Sequence, residues 1–180
     1  MIRAQARGLT TEPVTEYWNK LKRNYAAYPR VTCLQVAVGY PAKETQFYSY
    51  TKAYMSKRGD WWELTGLAGF SRAKLEQSLL PGDDPAECIA ETLVPTLTVE
   101  DVLKTSGFEA FDCLFLDCEG HEENVLNNLD YAIIKPKMLV YEHTHFPGSA
   151  QTLSDMLRAK GFITQQLEHD TVAIHDDWKR

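Results

Sequence analysis

The most informative segment of the chain runs Phe111-Asp112-Cys113-Leu114-Phe115-Leu116-Asp117-Cys118-Glu119-Gly120-His121-Glu122-Glu123. Its apolar first half predicts a buried strand, and its second half predicts a turn that leads into a helix. The strand therefore delivers two carboxylates, Asp117 and Glu119, to the edge of a sheet. Open α/β folds carry their binding and catalytic groups at this edge, where the carboxyl ends of the strands lie.

A second segment repeats this pattern farther along the chain. The apolar run Met138-Leu139-Val140-Tyr141 is followed directly by Glu142-His143-Thr144-His145. Neighbouring parallel strands end at the same edge of a sheet. The side chains expected to face one crevice there are Asp117, Glu119, Glu142, His143 and His145.

The composition indicates one acidic domain. The 180 residues are 44% hydrophobic, which is enough for one sizeable core, so a single domain over residues 1–180 is expected. The net charge of −6 and an isoelectric point near 5.4 argue against nucleic-acid binding, because phosphate binding requires clustered basic residues. No stretch resembles a signal peptide or a membrane span, so we expect no membrane partner and a cytoplasmic location.

The N-terminal half of the chain mixes helix and strand signals. A stripe of apolar residues predicts an amphipathic helix over 15–28. A β-branched run predicts a strand over 31–38, and alternating aromatic and polar residues predict a strand or hairpin arm over 45–54. The aromatic-rich residues 59–91 are the least regular part, and we expect an irregular insertion that covers another part of the molecule.

Strands and helices alternate from residue 93 onward until two final strands meet across a short link. The predicted strands are 93–97, 112–117, 137–143, 162–167 and 171–175, and the predicted helices are 98–106, 121–129 and 149–160. Thr98 is placed to be the N-cap of the first of these helices. The fold class is therefore α/β, with a mostly parallel sheet, helices on both faces and an antiparallel pair at the C-terminal edge.

This order of elements and motifs resembles the FkbM family of S-adenosylmethionine-dependent methyltransferases. The resemblance spans nearly the whole chain and rests on five motifs in the family's order and at its spacings. They are Thr11-Glu12-Pro13 before a helix with Leu21 and Asn24-Tyr25, Val36-Ala37-Val38-Gly39, Leu97-Thr98-Val99-Glu100-Asp101-Val102-Leu103, Leu116-Asp117-Cys118-Glu119-Gly120-His121-Glu122, and Val140-Tyr141-Glu142-His143. The resemblance implies a Rossmann-like sheet with an antiparallel hairpin at one edge, and a methyl donor that lies over the strand ends.

The residues expected to bind this donor are Glu12, Ala37, Val38 and Asp117. In dinucleotide-type folds an acidic residue at the end of a strand accepts hydrogen bonds from a ribose diol, and Glu12 fits this role if residues 6–11 form a strand. The alternative is that Glu12 favours the positive end of the helix that follows it. Ala37 and Val38 are expected to lie against the adenine.

The chain departs from the family's pattern at its N-terminus. Eleven residues precede Glu12, and they contain one glycine, Gly8, so the family's first strand, glycine-rich turn and first helix are absent from this chain. We therefore expect a sheet truncated at its N-terminus, with two strand edges exposed. Self-association or an upstream partner segment would cover these edges, and the chain alone is expected to bind the donor weakly or not at all.

Asp117 and Glu119 are the first candidates for catalysis. Because they are two residues apart, they share one face of a strand or converge at its end. In methyl transfer to oxygen, one carboxylate takes the proton of the acceptor hydroxyl while the other orients the acceptor. The alternative role for Glu119 is to cap the following helix.

Glu142, His143 and His145 have three interpretations. They bind a metal together with Asp117, they supply a general base or a substrate contact, or they make local hydrogen bonds at the end of a strand. We predict catalytic roles for Glu142 and His143, a substrate contact for His145 and no bound metal.

Three functions fit the sequence. The first is O-methylation of a hydroxyl on a small molecule or glycan, in which Trp61 and Trp62 contact the acceptor unless they serve as core or lid packing. The second is a non-catalytic fragment of such a domain that binds a partner. The third is a metal-dependent hydrolase that uses the carboxylates and histidines at the strand ends.

Overall fold

The computed structural model describes residues 6–59, 67–144 and 148–179 of the chain. These ranges contain the strands β1 (Gly8–Thr11), β2 (Val31–Leu34), β3 (Ala37–Val38), β4 (Lys43–Tyr50), β5 (Ile89–Leu97), β6 (Cys113–Leu116), β7 (Met138–Glu142), β8 (Phe162–Gln166) and β9 (Asp170–His175). The helices are α1 (Thr15–Tyr25), α2 (Lys52–Arg58), α3 (Arg72–Gln77), α4 (Pro85–Cys88), α5 (Val99–Ser106), α6 (Glu122–Asn128), α7 (Tyr131–Ile134) and α8 (Ala150–Ala159), and a 3₁₀ turn follows at Asp176–Lys179. Of the helices described, none has the length and apolar character needed to cross a membrane.

The described strands form three hydrogen-bonded sheets. In the N-terminal sheet, β1 and β2 are parallel. The middle sheet has the order β3-β5-β4, in which β3 is parallel and β4 antiparallel to β5. The C-terminal sheet has the order β6-β7-β9-β8, in which β6 and β7 are parallel and β9 is antiparallel to both of its neighbours. The structure is therefore a mixed α/β fold with several sheets.

The expectation of one mostly parallel sheet is wrong for these strands, although the parallel β6–β7 pair and the antiparallel β8–β9 pair are confirmed. Half of the strand pairs are antiparallel, and the longest ladder is the one between β4 and β5. Strand β5 begins at Ile89 rather than at residue 93 because its first half pairs with Tyr50 and the residues before it. Alternating aromatic and polar residues suit such a two-stranded ribbon, since one face is solvated.

Two further predictions of element boundaries are corrected. The strand predicted over 31–38 is two strands, because Val31–Leu34 pairs with β1 while Ala37–Val38 pairs with β5. The arm predicted over 45–54 ends at Tyr50, because the Thr51 hydroxyl accepts a hydrogen bond from the Tyr54 backbone N–H at 3.3 Å and caps α2.

The segment predicted to be an irregular insertion, 59–91, is more regular than expected. It contains α3, α4 and the first residues of β5. Its helix α3 is capped by the Ser71 hydroxyl, and Leu75 of α3 is fully buried against Tyr50 and Tyr54. Residues 60–66, which include Trp61 and Trp62, lie outside the described residues.

The largest apolar core lies against the C-terminal sheet. Leu139 and Tyr141 of β7 are fully buried there, together with Leu126 of α6 and Leu157 of α8. By contrast, neither β1, β2 nor α1 contains a buried residue. The ends of β6 and β7 are therefore held by a well-packed core, whereas the N-terminal sheet is not.

Candidate functional site

The carboxyl ends of β6 and β7 bring three carboxylates together. Asp117 follows β6 directly, and Glu142 is the last residue of β7. One carboxylate oxygen each from Asp117, Glu122 and Glu142 lies within 4.8 Å of the other two. The predicted approach of Asp117 and Glu142 is thus present, because the two parallel strands end at the same edge.

Glu119 is not one of these three carboxylates, although burial raises its pKa and the charges of Asp117 and Glu142 lie near enough to raise it further. Its φ of 53° and the φ of 96° at Gly120 place both residues in the left-handed region, which reverses the chain between β6 and α6. The Glu119 carboxylate instead accepts a hydrogen bond from the Lys74 ammonium of α3 at 2.5 Å. Burial raises the pKa of Glu119, and the Lys74 charge opposes that rise. A catalytic role for Glu119 stays a prediction.

Glu122 holds the turn between β6 and α6 and was not predicted as a site residue. Its side chain is fully buried, and its two carboxylate oxygens accept hydrogen bonds from the backbone N–H groups of Cys118, at 2.5 Å, and Gly120, at 3.0 Å. Burial raises the pKa of Glu122 despite these donors. The available signal was a glutamate in the first helical turn after a glycine, which commonly binds the N–H groups that precede the helix.

The environment of the Cys118 thiol does not favour a nucleophilic role. Burial and the nearby Glu122 carboxylate raise its pKa well above the ordinary thiol value. A thiolate is the reactive form of cysteine, and this environment disfavours it.

His121 is a second residue at this edge that the sequence did not single out. Its ring packs on Phe70 with 4.2 Å between centroids, and burial lowers its pKa. A side chain at Gly39 would come within 2.9 Å of His121 Nε2, so Gly39 permits the close approach of the β3 end to α6. His121 therefore helps to join the middle and C-terminal sheets.

The predicted donor-binding residues line one pocket, which we call the donor-side pocket. Its volume is about 210 Å³, and its walls include Glu12, Ala37, Val38, Phe70 and Asp117. Glu12 follows β1, whereas Asp117 follows β6, so the pocket lies where the ends of the three sheets meet. Residues far apart in sequence are thus brought to one concave site.

Within this pocket, Glu12 has one carboxylate oxygen engaged by the backbone. Oε1 accepts a hydrogen bond from the Val14 N–H at 2.7 Å, and Val14 is the N-cap of α1. Burial raises the pKa of Glu12, and this hydrogen bond opposes the rise. Glu12 therefore supports the start of α1 and lines the pocket, and its ribose-binding role stays a prediction.

His143 makes local contacts at the end of β7. Its Nδ1 lies 3.0 Å from the Thr171 hydroxyl oxygen, and its backbone N–H donates to the His169 carbonyl at 2.9 Å. The neighbouring Glu142 carboxylate accepts a hydrogen bond from the Thr144 hydroxyl at 2.5 Å. The catalytic role of His143 stays a prediction. His145, Trp61 and Trp62, which were predicted to contact the substrate, lie outside the described residues.

The three-carboxylate group at the ends of β6 and β7 has the spacing of a cation site. Carboxylate oxygens suit hard divalent cations. Both oxygens of Glu122, however, already accept backbone hydrogen bonds. The position of the Glu122 carboxylate is therefore explained by the turn that it stabilises. The three-carboxylate group adds no support to the metal-dependent hydrolase hypothesis.

The described elements define an α/β protein whose candidate site joins the ends of three sheets. The family model described as Methyltransferase FkbM domain matches residues 4–166. The chain therefore belongs to the FkbM methyltransferase family. Comparisons with curated proteins and with solved structures give no match.

Proposed function

We propose that the chain transfers a methyl group from S-adenosylmethionine to a hydroxyl oxygen of a small molecule or glycan. The observation that supports this most directly is the donor-side pocket, whose lining includes Glu12, Ala37, Val38 and Asp117. Membership of a methyltransferase family supports the class of reaction. The nature of the methyl acceptor is part of the proposal.

The residues of the donor-side pocket fit the nucleoside part of the donor. Glu12 presents a carboxylate, an acceptor suited to the two hydroxyls of a ribose. Val38 and Phe70 supply the apolar surface that an adenine ring requires. The volume of about 210 Å³ is smaller than the 300–1,000 Å³ or so typical of pockets for whole ligands. The described walls therefore enclose part of the donor, and weak binding is expected.

The chemistry of the transfer divides between donor and protein. When bound, S-adenosylmethionine supplies an electrophilic methyl group on its sulfonium sulfur. Asp117 is exposed at the pocket wall, and we assign to its carboxylate the role of taking the proton of an acceptor hydroxyl. A carboxylate oxygen of Glu142 lies within 4.8 Å of one of Asp117, and we assign to Glu142 the role of orienting the same acceptor.

The donor assignment is tested by following backbone amide signals by NMR during titration with S-adenosylhomocysteine. This method detects weak binding and reports where the ligand lies. We expect shifts centred on Glu12, Ala37 and Val38. The Glu12→Gln variant should bind less tightly, because a neutral amide accepts hydrogen bonds from the ribose less strongly than a carboxylate.

Glu44→Gln is the matched control for this test, because Glu44 is exposed and lies on β4 outside the walls of the donor-side pocket. This variant should bind S-adenosylhomocysteine as the unaltered chain does. Shifts confined to other surfaces, or equal affinity in the Glu12→Gln variant, would contradict the assignment.

The role of Asp117 is tested by methyl transfer from radiolabelled donor to a panel of sugar acids and sugar phosphates. Loss of a general base lowers the rate by about 10²- to 10⁴-fold, so Asp117→Asn should lose most activity while its free energy of unfolding changes by less than about 1 kcal/mol. Asp112→Asn, at the opposite end of β6, is the control. If Asp117→Asn unfolds but keeps normal turnover per folded molecule, Asp117 is structural.

A further inference from the structure

A second and larger cavity lies between α1 and the β4–β5 ribbon, and we call it the basic groove. Its volume is about 970 Å³. Helix α1 is amphipathic in sequence, yet no residue of it is buried. The helix therefore stands over the ribbon without closing a core against it, and the space between them is a groove.

The floor of the basic groove is one face of the ribbon. Phe47 and Ser49 of β4, and Ala90, Thr92 and Val94 of β5, line it. These are alternate residues on each strand, and the pairs Phe47↔Thr92 and Ser49↔Ala90 are directly opposite each other. Alternate residues of paired strands share one face, so the floor presents the Ser49 and Thr92 hydroxyl groups beside the Ala90 methyl group, while Phe47 and Val94 are largely buried. Such a mixed surface suits the ring and hydroxyls of a sugar.

The opposite wall is basic. Among the described lining residues, the positively charged ones are Lys20, Lys22, Arg23 and Lys52, and the negatively charged one is Glu16. Four positive charges less one negative charge leave +3 in the groove, although the whole chain has a net charge of −6. A cleft with one predominant sign of charge concentrates ligands of the opposite sign.

Part of this charge is free to act on a ligand. The Glu16 carboxylate is 2.9 Å from the Lys52 ammonium and 3.7 Å from that of Lys20, so it offsets part of the positive charge of the groove. Arg23 is exposed and forms no ion pair with another residue in the described part of the chain. A guanidinium binds carboxylate and phosphate groups through two parallel hydrogen bonds.

The basic groove adjoins the donor-side pocket. Both cavities are lined by Pro13, Tyr17 and Phe47. We propose that the basic groove binds the acceptor, and that the acceptor is a hydroxylated sugar-like molecule whose carboxylate or phosphate group lies against Arg23 and its basic neighbours. Its reacting hydroxyl extends into the adjoining donor-side pocket, which Asp117 lines. This inference rests on the proposed function, since it names the acceptor of the same methyl transfer.

The inference is tested by amide NMR titrations with D-glucuronate, D-glucose 6-phosphate and D-glucose, without methyl donor. The three probes share one ring and differ in charge, so they separate a carboxylate from a phosphate and both from a neutral sugar. We expect at least one anion to shift the amides of Arg23 and Lys20, and to bind at least about fivefold more tightly than glucose. Raising the salt concentration should remove this advantage.

Arg23→Gln should weaken binding of the preferred anion about two- to fivefold and leave glucose unchanged. The control is Lys104→Gln, because Lys104 is exposed on α5 and does not line the groove. Equal binding of all three sugars, or shifts outside the basic groove, would overturn the inference. Because no donor is present, a failed titration with S-adenosylhomocysteine leaves these outcomes readable and contradicts the donor assignment alone.

Discussion

At the scale of single residues, the turn after β6 depends on Glu122. Its carboxylate is the acceptor for two backbone N–H groups, those of Cys118 and Gly120. In Glu122→Gln one of the two oxygens becomes an amide nitrogen, so one buried N–H loses its partner. An unsatisfied buried group costs about 1–3 kcal/mol, and we expect the free energy of unfolding in urea to fall by about that amount.

The neighbouring change Glu123→Gln is the control for this prediction. Glu123 lies in the same helical turn, but its side chain is only half-buried. The same chemical change there should alter the free energy of unfolding by less than about 0.5 kcal/mol. Equal effects of the two substitutions would show that Glu122 does not hold the turn.

The Lys74 ammonium opposes the rise in the pKa of Glu119 that burial causes. Removing the ammonium in Lys74→Met should raise the pKa of Glu119 further, because burial and the charges of Asp117 and Glu142 then act without the opposing Lys74 charge. A raised pKa in the folded state contributes stability that is present below the ordinary value of 4.5 and is lost as the pH rises through the folded value. The loss should therefore be larger in Lys74→Met than in the unaltered chain.

This prediction is checked by ¹³C NMR titration of the Glu119 carboxyl and by urea unfolding from about pH 4 to about pH 7. Lys57→Met provides the control, because Lys57 pairs with Asp83 instead. An unchanged or lower pKa of Glu119 in Lys74→Met would contradict the prediction.

At the scale of elements, helix α5 begins directly after its N-cap residue, Thr98. The Thr98 hydroxyl accepts a hydrogen bond from the Asp101 N–H at 3.1 Å, as the sequence predicted. Thr98→Ala should lower the free energy of unfolding by about 1 kcal/mol, because a first-turn N–H loses its acceptor. Thr105→Ala, an exposed position of the same helix, should have a much smaller effect in the same urea measurement.

At the scale of the whole molecule, each described sheet ends in strands with one unpaired edge, and β1 and β6 are two of these strands. In the sheets described, β6 pairs with β7 alone and β1 pairs with β2 alone. Phe115 of β6 is 67% exposed. Open edges with apolar neighbours favour pairing with another chain, so we expect concentration-dependent association in sedimentation velocity unless a further segment covers the edge.

Phe115→Lys should weaken this association about tenfold, because a buried phenylalanine contributes about 1.5–3 kcal/mol and charge protects strand edges. The control is Ile133→Lys, since Ile133 is similarly exposed, at 63%, but lies on α7. A monomer at every concentration would contradict this account of the edges.

Much of the C-terminal half could be predicted from the sequence. Apolar periodicity placed β6, β7 and α8 within one or two residues, and strand order along the chain predicted that Asp117 and Glu142 meet. Apolar periodicity is a local property of the chain, and parallel strands generally end at the same edge of a sheet. Both can therefore be inferred from the order of residues. Glu12, Ala37 and Val38 were singled out as donor-binding residues by the resemblance to the FkbM family, and the structure places them in one pocket.

The tertiary structure alone decided which groups bind one another. Lys74 pairs with Glu119 across 45 residues, and Phe70 packs on His121, because Phe70 and helix α3 lie against the turn that follows β6. The division into three sheets and the basic groove under α1 likewise depend on how distant strands pair. Side-chain periodicity states which face of an element is buried but not which partner buries it, so these contacts cannot be derived from the order of residues.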